Sequence, residues 1–364
     1  MKPTLILRAD APRDEWLKVR TQGIGGSDCG TVLGLNPYKS AYSLAAEKIG
    51  MMEPDDLSGN AKVWFGTQLE PVVASRFEMV TGKKVHKRGT LQDPEHPYML
   101  ANIDRWVVGE NAGLEIKTAD YHMRDEWGDP DDPKDIRVPD SYYCQVLHYM
   151  AVTGADYWYI AALIGGNDFR VKRIERNEDD IAYIREKEKD FWDLVQAKKL
   201  PPLDATNSTA STLLKLHNYS NGEAIDLGPD ALMAIQNYQA CKRREKELKE
   251  GEQEAKNLLM SILGDNEVGT VTDGEGKVHK VTWKSQTRES ISVAKLKKQD
   301  PASYEALKDI GLITTTSTLV MFILFFQGGN KNGCKKRTRS YKKRNGRAAA
   351  GTAIHPETAE QHAR

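Results

Sequence analysis

Three residues in the middle of the chain could do chemistry together: Asp104, Glu115 and Lys117. Two carboxylates at a strand end offer hard oxygen ligands to Mg²⁺, which keeps room for water and substrate phosphate. A lysine beside them can orient a water and offset the charge that develops as a phosphodiester is cleaved. The arrangement therefore suits metal-assisted hydrolysis of a phosphate ester. The plainer alternative is an exposed hairpin with solvated charges, in which a Glu/Lys pair contributes very little.

The elements around them must put these groups on one side. Residues 99–108 and 114–118 read as two apolar strands joined by a turn over 109–113, whose glycines permit backbone angles that other residues resist. Strand alternation points Glu115 and Lys117 the same way and Leu114, Ile116 and Thr118 the other. Asp104 joins them only if the hairpin register or a bulge turns it to that face, and both arrangements stay open. Residues 61–81 have helical apolar spacing that stops at Gly82 and presents Glu70, with a helix either starting or bending at Pro71. Residues 141–152 return to helical spacing, so Gln145 and Tyr149, four apart, share a face. Residues 14–20 form a helical stretch running into glycines 23–26, and Ser27-Asp28 could cap a following helix whose amides favour an anion.

The remaining chain reads as support. A strand over 84–92 opens the sheet, and residues 120–140, rich in Asp and Pro, read as an exposed loop. Strands over 157–163 and 168–175 form an edge hairpin around Gly165-Gly166-Asn167, and a helix over 181–198 closes the module before Pro201-Pro202. Residues 1–203 read as one domain and 204–228 as a linker that opens Thr/Ser-rich. Residues 229–318 read as an accessory region, with a long charged helix, a hairpin around Asp273-Gly274-Glu275-Gly276 and a helix over 292–310. From Leu319 the character changes to an apolar octet and a Lys/Arg-rich tail over 319–364, expected to be disordered.

Composition sets the bounds. With 39% hydrophobic and 29% charged residues, the 364-residue chain has the make-up of a globular protein rather than a disordered or membrane one. Its formal net charge is zero, so a nucleic-acid surface must come from local segregation of basic residues. Cys29, Cys144, Cys241 and Cys334 form no close pair, which gives neither a zinc knuckle nor an iron-sulfur cluster its usual spacing and suggests a reducing cytoplasm. The apolar stretches near the two ends are too short for a signal peptide or a membrane helix.

Five ordered words carry a family resemblance: Gly23-Ile24-Gly25-Gly26-Ser27-Asp28, Gly66-Thr67-Gln68-Leu69-Glu70-Pro71, Ala101-Asn102-Ile103-Asp104-Arg105, Leu114-Glu115-Ile116-Lys117-Thr118 and Gln145-Val146-Leu147-His148-Tyr149-Met150. Together they resemble the YqaJ-type viral recombinases, relatives of the bacteriophage lambda exonuclease within the PD-(D/E)xK nucleases. Asn102-Ile103 stands where that superfamily's name has a proline. The resemblance implies an α/β fold, with a central mixed sheet flanked by helices as nuclease core and a mainly helical C-terminal accessory region bearing a hairpin. It also implies a phage or prophage enzyme of the bacterial cytoplasm that degrades one strand of linear duplex DNA from its 5′ end, leaving 3′ overhangs for strand annealing. Glu70, Asp104, Glu115 and the Ile116 carbonyl would hold Mg²⁺, or Mn²⁺ in its place, while Lys117 and Gln145 position the attacking water. Arg20 and Ser27 would hold the DNA 5′-phosphate, and Tyr149 would contact DNA. Duplex ends, a single-strand annealing protein and a trimeric ring of identical chains are the implied partners. An endonuclease or junction-cutting enzyme with the same core, or a catalytically silent DNA-binding recombination factor, are the competing readings.

Overall fold

The computed structural model describes residues 2–314 apart from 130, 131, 133, 220 and 288, so the expected basic tail lies outside the described residues. The chain divides into two compact units, the first running to Ile225 and the second starting at Asp226. In chain order the first unit begins with β1 (Thr4–Leu7), α1 (Arg13–Thr21), β2 (Ile24–Gly25), α2 (Gly26–Val32), α3 (Ala41–Ile49) and α4 (Ala61–Thr81). Five short strands follow, β3 (Val85–His86), β4 (Thr90–Gln92), β5 (Met99–Asn102), β6 (Arg105–Val107) and β7 (Ala112–Ala119). A 3₁₀ turn (Tyr121–Trp127), α5 (Asp140–Thr153), β8 (Tyr157–Ile164), β9 (Asp168–Glu175), α6 (Glu178–Gln196) and α7 (Asn207–Leu216) complete it.

Two mixed sheets carry the unit, one in the order β3-β6-β7-β8-β9 and the other in the order β1-β4-β5-β2. The expected long strand over 99–108 is broken. Its first half pairs with β4 and β2, its second half with β3 and β7, and the chain changes sheet at Ile103-Asp104. The strand expected over 84–92 divides in the same way, β3 lying in one sheet and β4 in the other. In the five-stranded sheet β7 runs antiparallel to β6 and parallel to β8, which places it at the centre.

Alternation along β7 decides which helix covers which face. Leu114 and Ile116 pack with Val107 and Tyr159 against Val73, Ala74 and Phe77 of α4. On the other face Trp158, Ile160 and Ala162 pack against Val146, Leu147 and Met150 of α5. Each fully buried side chain of this size contributes about 1.5–3 kcal/mol. Gly113 is required for that packing, because a Cβ there would sit 2.1 Å from the Trp158 ring. Asn60 starts α4 by accepting from the Lys62 and Val63 amides, Gly82 ends it at φ 69°, and the helix continues through Pro71.

Three further expectations change. Residues 120–140 are not wholly an exposed loop, because the 3₁₀ turn buries Trp127 completely, against Tyr142. The stretch 204–212 is not a free linker. Its Thr and Ser side chains make hydroxyl contacts instead, Ser208 and Thr212 meeting Ser43 at 2.7 and 2.8 Å and Thr209 meeting Ser40 at 2.8 Å, which docks α7 on the start of α3. The single helix over 292–310 is two in the second unit. That unit contains α8 (Pro229–Leu263), the hairpin β10 (Val268–Thr272) and β11 (Val278–Thr282), α9 (Val293–Gln299) and α10 (Pro301–Asp309), with Asp300-Pro301 ending one helix and starting the next. Among the described residues no helix is long and apolar enough to cross a membrane.

Candidate active site

Register settles on which side Asp104 lies. Arg105 pairs with Leu114 across β6 and β7, so Asp104, one residue earlier, falls opposite Glu115 and turns to the same face. Its Oδ2 accepts from the Ile116 amide at 2.9 Å, which fixes the carboxylate at the point where the chain passes between sheets. On the same face Lys117 Nζ lies 2.6 Å from Glu115 Oε1 and donates to Gln145 Oε1 at 2.8 Å. The Gln145 amide closes the circuit, donating to Glu115 Oε1 at 2.7 Å and to the Tyr149 hydroxyl at 2.9 Å. Tyr142 of α5 lies beneath the ammonium, 4.5 Å from ring centre to Nζ.

The electrostatics follow from burial and crowding. Burial first, and then the Glu115 charge, push the Asp104 carboxyl well above the ordinary carboxylate range, and Lys117 with the Ile116 amide offsets this only in part. Burial alone would depress the Lys117 ammonium, but Glu115 and Asp104 outweigh it and hold it above the usual lysine value. Burial, together with the same two carboxylates, also raises the Tyr149 hydroxyl well above its usual value. Glu115 Oε2 is buried without a hydrogen-bond partner among the described residues. A bare carboxylate oxygen on the same face as a second buried carboxylate is an environment that a hard divalent ion fits.

Glu70 is attached differently. It belongs to α4, on the Leu114 and Ile116 side of the sheet, and Arg105 takes its carboxylate at 2.5 Å while also donating to the Asp104 carbonyl at 2.6 Å. The charge of Glu70 reaches Asp104 and raises it slightly, but Arg105 is its hydrogen-bonded partner. Sequence reasoning assigned Arg105 no role. Strand alternation turns Arg105 away from Asp104 and toward Glu70, but only the β6/β7 register fixes the side of Asp104.

Arg20 and Ser27 form a second cluster. Arg20 Nη2 lies 3.4 Å from Ser27 Oγ and 3.5 Å from Asp28 Oδ1. Asp28 is buried and is also held by Lys48 at 2.9 Å and by the Gly25 amide at 3.3 Å. Burial alone would raise this carboxyl, but Lys48 and Arg20 bring it down to about 2. Gly25, not Ser27, occupies the capping position of α2, and Asp28 bonds back to it from the third helical residue. Lys48 also donates to the Arg20 carbonyl at 2.7 Å, a role that nothing in the local sequence signals. Tyr149 links the two clusters: its hydroxyl meets Gln145, and its ring lies so close to Gly26 that a Cβ there would sit 2.4 Å from it.

The model of the YqaJ-like viral recombinase domain matches residues 15–156, which contain both clusters. The YqaJ protein of Bacillus subtilis is 38% identical over 309 residues, spanning 84% of this chain and 93% of its own length. A protein of African swine fever virus is 38% identical over 136 residues, covering 35% of this chain and 39% of its own. Among solved structures, an alkaline exonuclease from Laribacter hongkongensis is 23% identical, with a TM-score of 0.43 over 57% of this chain and 100% of that one.

Proposed function

Since this chain belongs to the YqaJ-like viral recombinase family, we propose that it is a divalent-metal-dependent DNA exonuclease acting on duplex ends, 5′ to 3′. In this reading it works in the cytoplasm of a bacterial host and leaves 3′ overhangs for an annealing protein. The observation that carries the reading is the unpartnered, buried Glu115 Oε2 beside a carboxyl raised by crowding and a lysine held on the same face. Asp104 and Glu115 would hold Mg²⁺, with the Ile116 carbonyl and Glu70 as further oxygen donors once Arg105 releases Glu70. When bound, the ion supplies charge stabilisation and a more acidic water. Lys117, kept protonated by its two carboxylate neighbours, places positive charge where the phosphate becomes more negative. Gln145 fixes the ammonium and Glu115 relative to each other, so the lysine keeps its aim as substrate arrives. Arg20 and Ser27 hold the terminal 5′-phosphate, and Tyr149 transmits its position to Gln145. A trimeric ring enclosing DNA would add processivity.

End-labelled linear duplex with Mg²⁺ tests this, comparing 5′-phosphorylated with dephosphorylated ends and adding covalently closed circles as a third substrate. Shortening from the 5′ end, faster with the phosphate and absent on circles, is expected. Cutting of closed circles would identify an endonuclease, and binding without hydrolysis a silent recombination factor; either outcome refutes the exonuclease.

A further inference from the structure

Away from the carboxylate site, three side chains of different ligating chemistry meet inside the first unit. Cys29 of α2, His148 of α5 and Glu188 of α6 are all fully buried, and one donor atom of each lies within 4.8 Å of the other two. His148 Nε2 faces the Leu100 carbonyl at 3.0 Å. A carbonyl only accepts, so Nε2 carries a proton, and Nδ1 faces Glu188 Oε1 at 2.8 Å. A positive centre must sit between nitrogen and oxygen, either a second ring proton, which Glu188 and the Leu100 carbonyl favour against burial, or a metal ion. The second Glu188 oxygen, Oε2, is buried with no hydrogen-bond partner among the described residues.

We propose that Cys29, His148 and Glu188 form a buried structural site for a zinc-type divalent ion, separate from the Mg²⁺ site. Sulfur, nitrogen and oxygen donors together suit a borderline-soft ion and not Mg²⁺, which takes oxygen. The Leu100 carbonyl gives the imidazole the outer hydrogen bond that fixes the tautomer of a ligating histidine. One thiolate and one carboxylate neutralise a dication, so the loaded site adds no net charge to the core. The ion ties α2, which carries Ser27 and Asp28, to α5, which carries Gln145 and Tyr149. The competing arrangement puts a proton there instead, as an imidazolium-carboxylate pair beside a neutral Cys29 thiol.

The test is the metal content of the full chain, expressed with added zinc and gel-filtered, for the native protein and the Cys29→Ala and Glu115→Gln variants. Native protein and Glu115→Gln should each retain one zinc per chain, and Cys29→Ala should lose it. Native protein reloaded with Co²⁺ should show a thiolate-to-cobalt charge-transfer band in the near ultraviolet, which keeps the test informative should Cys29→Ala fold poorly. No retained zinc in the native protein, Co²⁺ bound without that band, or zinc lost in Glu115→Gln but kept in Cys29→Ala would each overturn the proposal.

Discussion

Replacing Asp104 by Asn should make the metal-free protein more stable while abolishing its activity. In the native site the Asp104 carboxyl is raised by burial and by Glu115, so the folded protein holds a proton that the unfolded chain has already released. Stability from this group is fully present below the unfolded value of about 3.9 and is lost as pH rises through the raised native value. Each pH unit of that displacement costs about 1.4 kcal/mol once both forms are ionised. Asn cannot ionise, its oxygen can still accept from the Ile116 amide, and its amide can donate toward Glu115. Urea unfolding in chelator, followed by tryptophan fluorescence, measures the effect; Trp127 and Trp158 report on the first unit because both are fully buried. The variant should unfold at higher urea than the parent under mildly alkaline conditions, with the gap closing in acid, and it should digest no DNA. An Asn variant less stable than the parent at alkaline pH, or a gap that ignores pH, would refute the crowding argument.

Other outcomes follow from the same geometry. Lys117→Met should lower the rate of linear-duplex digestion by about 10²–10³-fold while leaving DNA binding in a filter or polarisation assay near native. Arg20→Gln should erase the difference in rate between phosphorylated and dephosphorylated 5′ ends, with digestion of dephosphorylated ends little changed, as end-labelled kinetics would read. Gly26→Ala should force the Tyr149 ring away, since the new Cβ would lie 2.4 Å from it. The expected cost is about 1–3 kcal/mol of stability, measured by urea unfolding, together with slower digestion.

The sequence made part of this site legible and hid the rest for physical reasons. Period-two alternation was enough to place Glu115 and Lys117 together, and helical spacing was enough to pair Gln145 with Tyr149, because both are local properties of one element. The side taken by Asp104 depends on the pairing of β6 with β7 and on a break between two sheets, which no single strand pattern encodes. Glu70 is bound by a neighbour of Asp104 on the opposite strand face, so its helix could be read while its partner Arg105 could not. Asp28 and Lys48 meet across 20 positions, and Cys29, His148 and Glu188 lie further apart still, so spacing rules written for local cysteine motifs pass over them. The Ser/Thr-rich stretch of α7 has a linker's composition, yet its hydroxyls find partners on α3, a tertiary fact that composition does not reveal.

The most direct measurement is the anomalous scattering of Mn²⁺ in crystals of the full chain. A peak within coordinating distance of both the Asp104 and Glu115 carboxylates, lost in Glu115→Gln, is the predicted result. Mn²⁺ bound elsewhere, with the Asp104 and Glu115 carboxylates touching no ion at saturating concentration, would contradict the assignment of these residues as the metal centre of a nuclease.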